Sequence, residues 1–242
     1  MKLAMDIATE NKRPSIRERW NPALSFLVTS CWCNNAALRP SLATIISSLS
    51  MLIKNASAEG MITSATIPEI KLEGGDPHFA PGALWRRVET RPEKIELGKV
   101  LGEGANATVY KGKFQGKAVA VKIFRNTSEE SAFKEIEMTF SLRHPNVIGL
   151  YAWFEHRGAL TQFGMVLELA SSDLRSVYNK KNKDFSLGTG LKIVAGVAKG
   201  LAYMHSRPEA VVHRDVKVST LGSSLLCLLD SPGNLLSRST LW

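Results

Sequence analysis

The chain has 242 residues, 44% of them apolar and 22% charged, enough apolar material for one or two packed domains and too much for a disordered tail. Its formal charge of +9 is spread among acidic residues over most of the length, so a solvated basic surface explains it better than a stripe for nucleic acid or anionic membrane. Lys180, Lys181 and Lys183 form the one tight cluster, in an expected loop.

Three cysteines, Cys31, Cys33 and Cys227, give no even framework of pairs, which points to a reducing compartment with the cytoplasm as the default. Cys31 and Cys33 lack the further ligands that a zinc site needs, so no metal site is expected there. The longest apolar stretches are short or broken by serines, below the ~18–20 residues of a spanning helix, so no membrane span is expected. Met1 opens onto an acid-containing amphipathic stretch, and no signal peptide is expected.

Residues 1–53 read as short packed helices. Turn signals stand at Arg13-Pro14-Ser15 and Asn21-Pro22, and Ile45, Ile46, Leu49, Leu52 and Ile53 recur at helical spacing. Residues 54–93, punctuated by Gly74, Gly75, Pro77, Pro81, Gly82 and Pro92, read as a linker without assigned fold. From residue 94 the pattern becomes alternating strands. Val119, Val121 and Ile123 face one way and Ala118, Ala120, Lys122 and Phe124 the other, with a hairpin turn at Gln115-Gly116 before them. A helix is expected over 129–142, strands over 147–154 and 163–169, and a long amphipathic helix through Leu187, Leu191, Val194, Val197, Leu201 and Met204.

Several motifs run through this frame in order. The segment Leu101-Gly102-Glu103-Gly104-Ala105-Asn106-Ala107-Thr108-Val109 is a strand-turn-strand pattern with closely spaced glycines, which any glycine-containing hairpin can produce. Ala118-Val119-Ala120-Val121-Lys122 follows, then Phe133-Lys134-Glu135-Ile136 on the expected helix, Leu142-Arg143-His144-Pro145-Asn146 after it, Met165 to Ala170, and Val212-His213-Arg214-Asp215-Val216-Lys217 beyond the long helix. Together they resemble the protein kinase superfamily, in its tyrosine-kinase-like serine/threonine group.

The resemblance implies an α+β fold: a five-stranded antiparallel N-lobe with one helix, an incomplete helical C-lobe, and a separate short helical N-terminal piece. It implies ATP held by the glycine-rich loop, with Ala107 replacing the usual third glycine, with Val109 and Ala120 near the adenine, and with backbone groups near Glu168 to Ala170 in the hinge. Lys122 would hold the α- and β-phosphates and Glu135 would position it. Asp215 would orient the substrate hydroxyl, and Lys217 would steady the transferring phosphoryl group. The domain limits expected on this basis are 94–170 for the N-lobe and hinge, 171–217 for a partial C-lobe, and 218–242 for an atypical tail.

The family then has a magnesium-binding asparagine five residues after the catalytic aspartate, and an Asp-Phe-Gly beyond it. Here Thr220 stands at the first position and no Asp-Phe-Gly occurs in the 242 residues, so magnesium, expected in the family, is left without its protein ligands and transfer is expected to be impaired. The long helix is also expected to lack a core to pack on. Residues 13–49, with Cys31-Trp32 and Arg39-Pro40-Ser41 at family spacing, resemble the last helices of another kinase domain, which suggests a tandem-kinase layout. A linker of 40 residues spans about 35 Å, so the front helices are within reach of the C-lobe. The expected partners are ATP and a protein substrate or partner kinase. A non-catalytic module regulating such a kinase is the alternative, and a nucleic-acid role on charge alone is a distant third.

Overall fold

Alternation over residues 117–124 predicts a strand, and the computed structural model, which describes residues 12–18, 20–58, 84–158, 161–170, 186–213 and 216, puts that strand at the centre of a sheet. Five strands, β1 (Ile95–Glu103), β2 (Ala107–Phe114), β3 (Lys117–Phe124), β4 (Leu150–Arg157) and β5 (Thr161–Glu168), pair antiparallel in the order β1-β2-β3-β5-β4. The β2–β3 hairpin turns at Gln115 and Gly116, with φ of 50° and 77°; two positive-φ central residues give the turn whose twist matches that of the strands.

The sheet has a core on each face. Phe114, Val119, Val121, Ala152, Phe154 and Val166 cluster on one side. On the other, Phe124, Leu150, Trp153, Phe163 and Met165 meet Ala132 and Ile136 of the helix Glu129–Ser141. Its buried residues, Ala132, Glu135, Ile136 and Thr139, recur every three or four positions, as one face of a helix must. Ser128 caps its N-terminus by accepting from the Ser131 N–H, and Glu129 and Glu130 complement the helix dipole in the first turn. Phe133 sits edge-on to Trp153 and Phe163, with centroids 5.5 and 5.1 Å apart.

Before the sheet, helix α1 (Pro22–Cys31) is capped by Asn21, whose Oδ1 accepts from Ala23 N at 2.9 Å, and helix α2 runs from Leu42 to Ala58. With Glu129–Ser141 as α3, the long helix Leu187–His205 is α4, capped by Ser186. Two expectations are corrected here. Helix α2 runs five residues past the expected limit, and residues 84–88 and 92–94 form 3-10 turns, so the linker read at 54–93 is structured at both ends. Thr90 N donates to Trp153 O at 2.8 Å, fastening this entry segment to β4. Strand β4 begins at Leu150, three residues later than expected, because Val147 is used in a turn closed by its N–H to His144 O at 2.9 Å.

The long helix does not lack a core. Leu191, Ala195 and Ala198 pack with Leu27, Leu49 and Leu52 of α1 and α2, all of them buried. The opposite face meets the loop after α3. Met204, fully buried, clusters with Leu142 and Val147, and the His144 ring stacks on Tyr203 at 5.0 Å. Gly200 is what permits this approach, since a Cβ there would lie 2.9 Å from the Asn146 carbonyl oxygen. The helical piece expected to be separate is therefore separate only in sequence. No helix among the described residues is long and apolar enough to cross a membrane.

Candidate nucleotide site

Strand register determines which side chains share a face. Val109 pairs with Lys122, Lys122 with Met165, and Ala120 with Leu167, so Val109, Ala120, Lys122, Met165 and Leu167 point from the same side of the sheet. That is the side covered by α3, whose buried Glu135 places Oε1 2.7 Å from Lys122 Nζ. Lys122 is 8% exposed and Glu135 3%, and the Phe124 ring lies 5.3 Å from the ammonium. Desolvating two charges costs several kcal/mol per ion, and apolar residues of similar volume would hold a helix to a sheet at least as well. The ammonium is thus fixed on the side of the sheet that α3 covers, oriented by its carboxylate.

The glycine-rich turn joins β1 to β2 at the edge of the sheet. β1 and β2 remain paired to its tip, Gly102 with Val109 and Glu103 with Thr108, and Gly104 N–H donates to Ala107 O at 2.9 Å. Leu101 through Asn106 are exposed, while Ala107 is buried in the position expected of the third glycine. A Cβ built on Gly102 meets nothing within 4 Å, so packing within the chain does not require glycine there. Space above the backbone is what a phosphate-binding loop needs.

Arg125, absent from the sequence-based set, pins the turn. Its Nη2 donates to Gly104 O at 2.8 Å and its backbone N–H to Asn106 O at 2.7 Å. Nothing in the alternation of β3 announces this, because the contact joins the end of one strand to the turn before another. At the hinge, Glu168 and Ala170 are half-buried at and beyond the end of β5. The Glu168 N–H already donates to Gly149 O at 2.9 Å, so it is not a donor available to a base. His213 is buried at the end of the chain that follows α4, where Val211 N–H donates to Met204 O at 3.0 Å. Asp215 and Lys217 lie outside the described residues, as does Thr220.

Among the described residues no group of three or more His, Cys, Asp or Glu side chains is placed to hold a metal. Cys31 and Cys33 are not in a disulfide, and burial raises the pKa of the Cys31 thiol.

An antiparallel five-stranded sheet, an exposed glycine turn at its edge and a lysine fixed by a helix glutamate define the front lobe of a protein kinase. The chain belongs to the protein kinase domain family, which matches residues 95–221. Members of this family use ATP and magnesium to phosphorylate proteins. Over 145 residues, 58% of this chain, it is 34% identical to a "Probable serine/threonine-protein kinase" of Dictyostelium discoideum, of which that stretch is 9%. It is 34% identical over 147 residues to activin receptor type-1C of Rattus norvegicus, covering 57% of this chain and 29% of the receptor. With activin receptor type-1 of Mus musculus it shares 29% identity over 179 residues, 68% of this chain and 35% of the receptor. The chain thus spans about a third or less of the length of these curated relatives.

Proposed function

We propose that residues 94–217 are the ATP-binding part of a protein serine/threonine kinase of the tyrosine-kinase-like group. The single observation that supports this best is the buried Lys122–Glu135 pair under an exposed glycine turn. In this reading the triphosphate lies along Gly102 to Asn106, with Lys122 on the α- and β-phosphates, and the adenine lies between Val109, Ala120 and the hinge at Glu168 to Ala170. Asp215 orients the hydroxyl of a protein serine or threonine, and Lys217 steadies the phosphoryl group in flight. The commitment of the Glu168 N–H to Gly149 leaves the donor to adenine to come from beyond Glu168.

Bound magnesium supplies charge neutralisation at the phosphates. The donor set here does not fit it. Thr220 offers a hydroxyl where the family has a carboxamide, and the 242 residues contain no Asp-Phe-Gly. We therefore assign the chain nucleotide binding with impaired transfer, and derive no step through the metal. The same departure favours a second reading, a non-catalytic kinase-like module that binds and regulates a partner kinase.

Titrating ATP, with and without magnesium, into wild type and Lys122→Met, followed by a phosphorylation assay on a generic protein substrate, separates these readings. Binding that depends on Lys122 with little or no transfer is the expected result. Robust magnesium-dependent transfer lost in Asp215→Asn would make the chain an active kinase. No ATP binding at millimolar concentration would overturn the nucleotide site and leave the module.

A further inference from the structure

Helix α4 is used on two opposite faces. Gly196, Gly200 and Met204 lie against the loop that follows α3, while Leu191, Ala195 and Ala198 lie against α1 and α2. The second contact joins residues from the two ends of the described chain, and its members are buried: Leu49 is 1% exposed and Leu191 4%. Helix α2 also packs more extensively on α4 than on its own neighbour α1. Alanines at 195 and 198 let the two helix axes come close, and the leucines of α2 fill the space this leaves.

Helices of ten and seventeen residues are marginal in water by themselves, so their burial against α4 contributes to holding them. Helix α4 carries an apolar stripe through Leu191, Ala195 and Ala198, and among the described residues it is α1 and α2 that cover it.

We infer that residues 20–58 and 186–213 are two halves of one helical lobe in permuted order, with the N-lobe inserted between them, so that the apolar face of α4 is a docking surface whose occupant is this chain's own α1–α2 hairpin. The sequence order is that of a tail followed by a head; the packing is that of a single domain. Because α4 leads into Val211 and buried His213, the hairpin steadies the helix from which the catalytic-loop motif departs.

The test uses the full chain with a site-specific protease sequence inserted between residues 65 and 75. Cleavage is driven to completion under native conditions and the product is run on size exclusion with mass detection. The expected result is one peak at the mass of the uncut monomer containing both fragments, and no change in the stability midpoint larger than a few degrees. Met51→Asp, at a position 66% exposed on α2, leaves that peak intact, whereas Leu49→Asp releases the front fragment after cleavage. Separation of the wild-type fragments would overturn the inference and restore two independent pieces. Co-elution at twice the monomer mass, rising with concentration, would also overturn it, by showing that the hairpin docks on a second copy. Neither readout depends on ATP binding, so failure here is distinguishable from failure of the nucleotide site.

Discussion

Lys122 Nζ and Glu135 Oε1 stand 2.7 Å apart between a sheet and a helix that otherwise meet through apolar side chains. Glu135→Leu leaves the ammonium buried without its carboxylate, and we expect a loss of about 3–5 kcal/mol in unfolding free energy. Lys122→Met with Glu135→Leu removes both charges and should return to within about 1–2 kcal/mol of wild type. Chemical denaturation of the cycle measures both. In the same proteins ATP affinity should fall about 10–100-fold wherever the ammonium is lost, since a hydrogen bond to a charged group contributes roughly 1.5–3 kcal/mol. A double variant that is stable yet binds ATP as wild type does would remove Lys122 from the site.

Two glycines of α4 make opposite predictions. Gly190 has open space where a Cβ would go, so Gly190→Ala should stabilise by about 0.5–1 kcal/mol through helix propensity alone. Gly200→Ala drives a methyl group against the Asn146 carbonyl and should destabilise by roughly 1–3 kcal/mol despite the better propensity. Thermal unfolding of the two single variants gives the comparison directly.

Much of the sheet, and the face on which Lys122 stands, was legible because it rests on local rules. Alternation put Lys122 on the face of Ala120 and Phe124, and the cores on the two sheet faces match that division; Glu135 was expected beside Lys122 from the family resemblance alone. What was not legible depends on contacts between distant segments. The Arg125 guanidinium reaches a turn some twenty residues earlier, and Leu191 is covered by residues from the front of the chain, so neither leaves a periodic trace. The expectation of a long helix without a core failed for this reason: of the expected stripe Leu191 and Met204 are buried but Leu187 and Val194 are exposed, and Ala195 and Ala198, which with Leu191 meet the front helices, were not part of it. Asp215 and Lys217, legible as a motif, fall outside the described residues.

His144 gives the lobe contact a pH dependence. Its Nδ1 accepts from Asn146 N–H at 3.1 Å, its ring stacks on Tyr203, and burial followed by the nearby Lys199 ammonium holds its pKa below the ordinary value. The unfolded chain therefore takes up this proton first. The stability it confers is complete above the unfolded value of about 6.5, and is lost as the pH falls through the depressed folded value. Melting temperature should decline as the pH is lowered from 7, and His144→Asn should flatten part of that decline. An identical slope in wild type and variant would show that other groups carry it.

Arg125→Ala should loosen the glycine turn without unfolding the sheet, because the backbone bond from Arg125 N–H to Asn106 O remains. Hydrogen exchange at the Gly104 amide, which donates to Ala107 O, is expected to speed up by about tenfold, the equivalent of ~1.4 kcal/mol for one lost hydrogen bond. Unchanged exchange at that amide would mean that the β1–β2 ladder alone holds the turn.

The pairing of Leu49 with Leu191 also sets an order of events during synthesis. The α1–α2 hairpin leaves the ribosome with its apolar side bare, and its match on α4 follows only after the whole sheet has been translated. At ~5–20 residues per second that interval is on the order of ten seconds, long compared with the microsecond formation of a helix. For those seconds Leu27, Leu49 and Leu52 wait for the residues of α4 that pack on them in the folded chain.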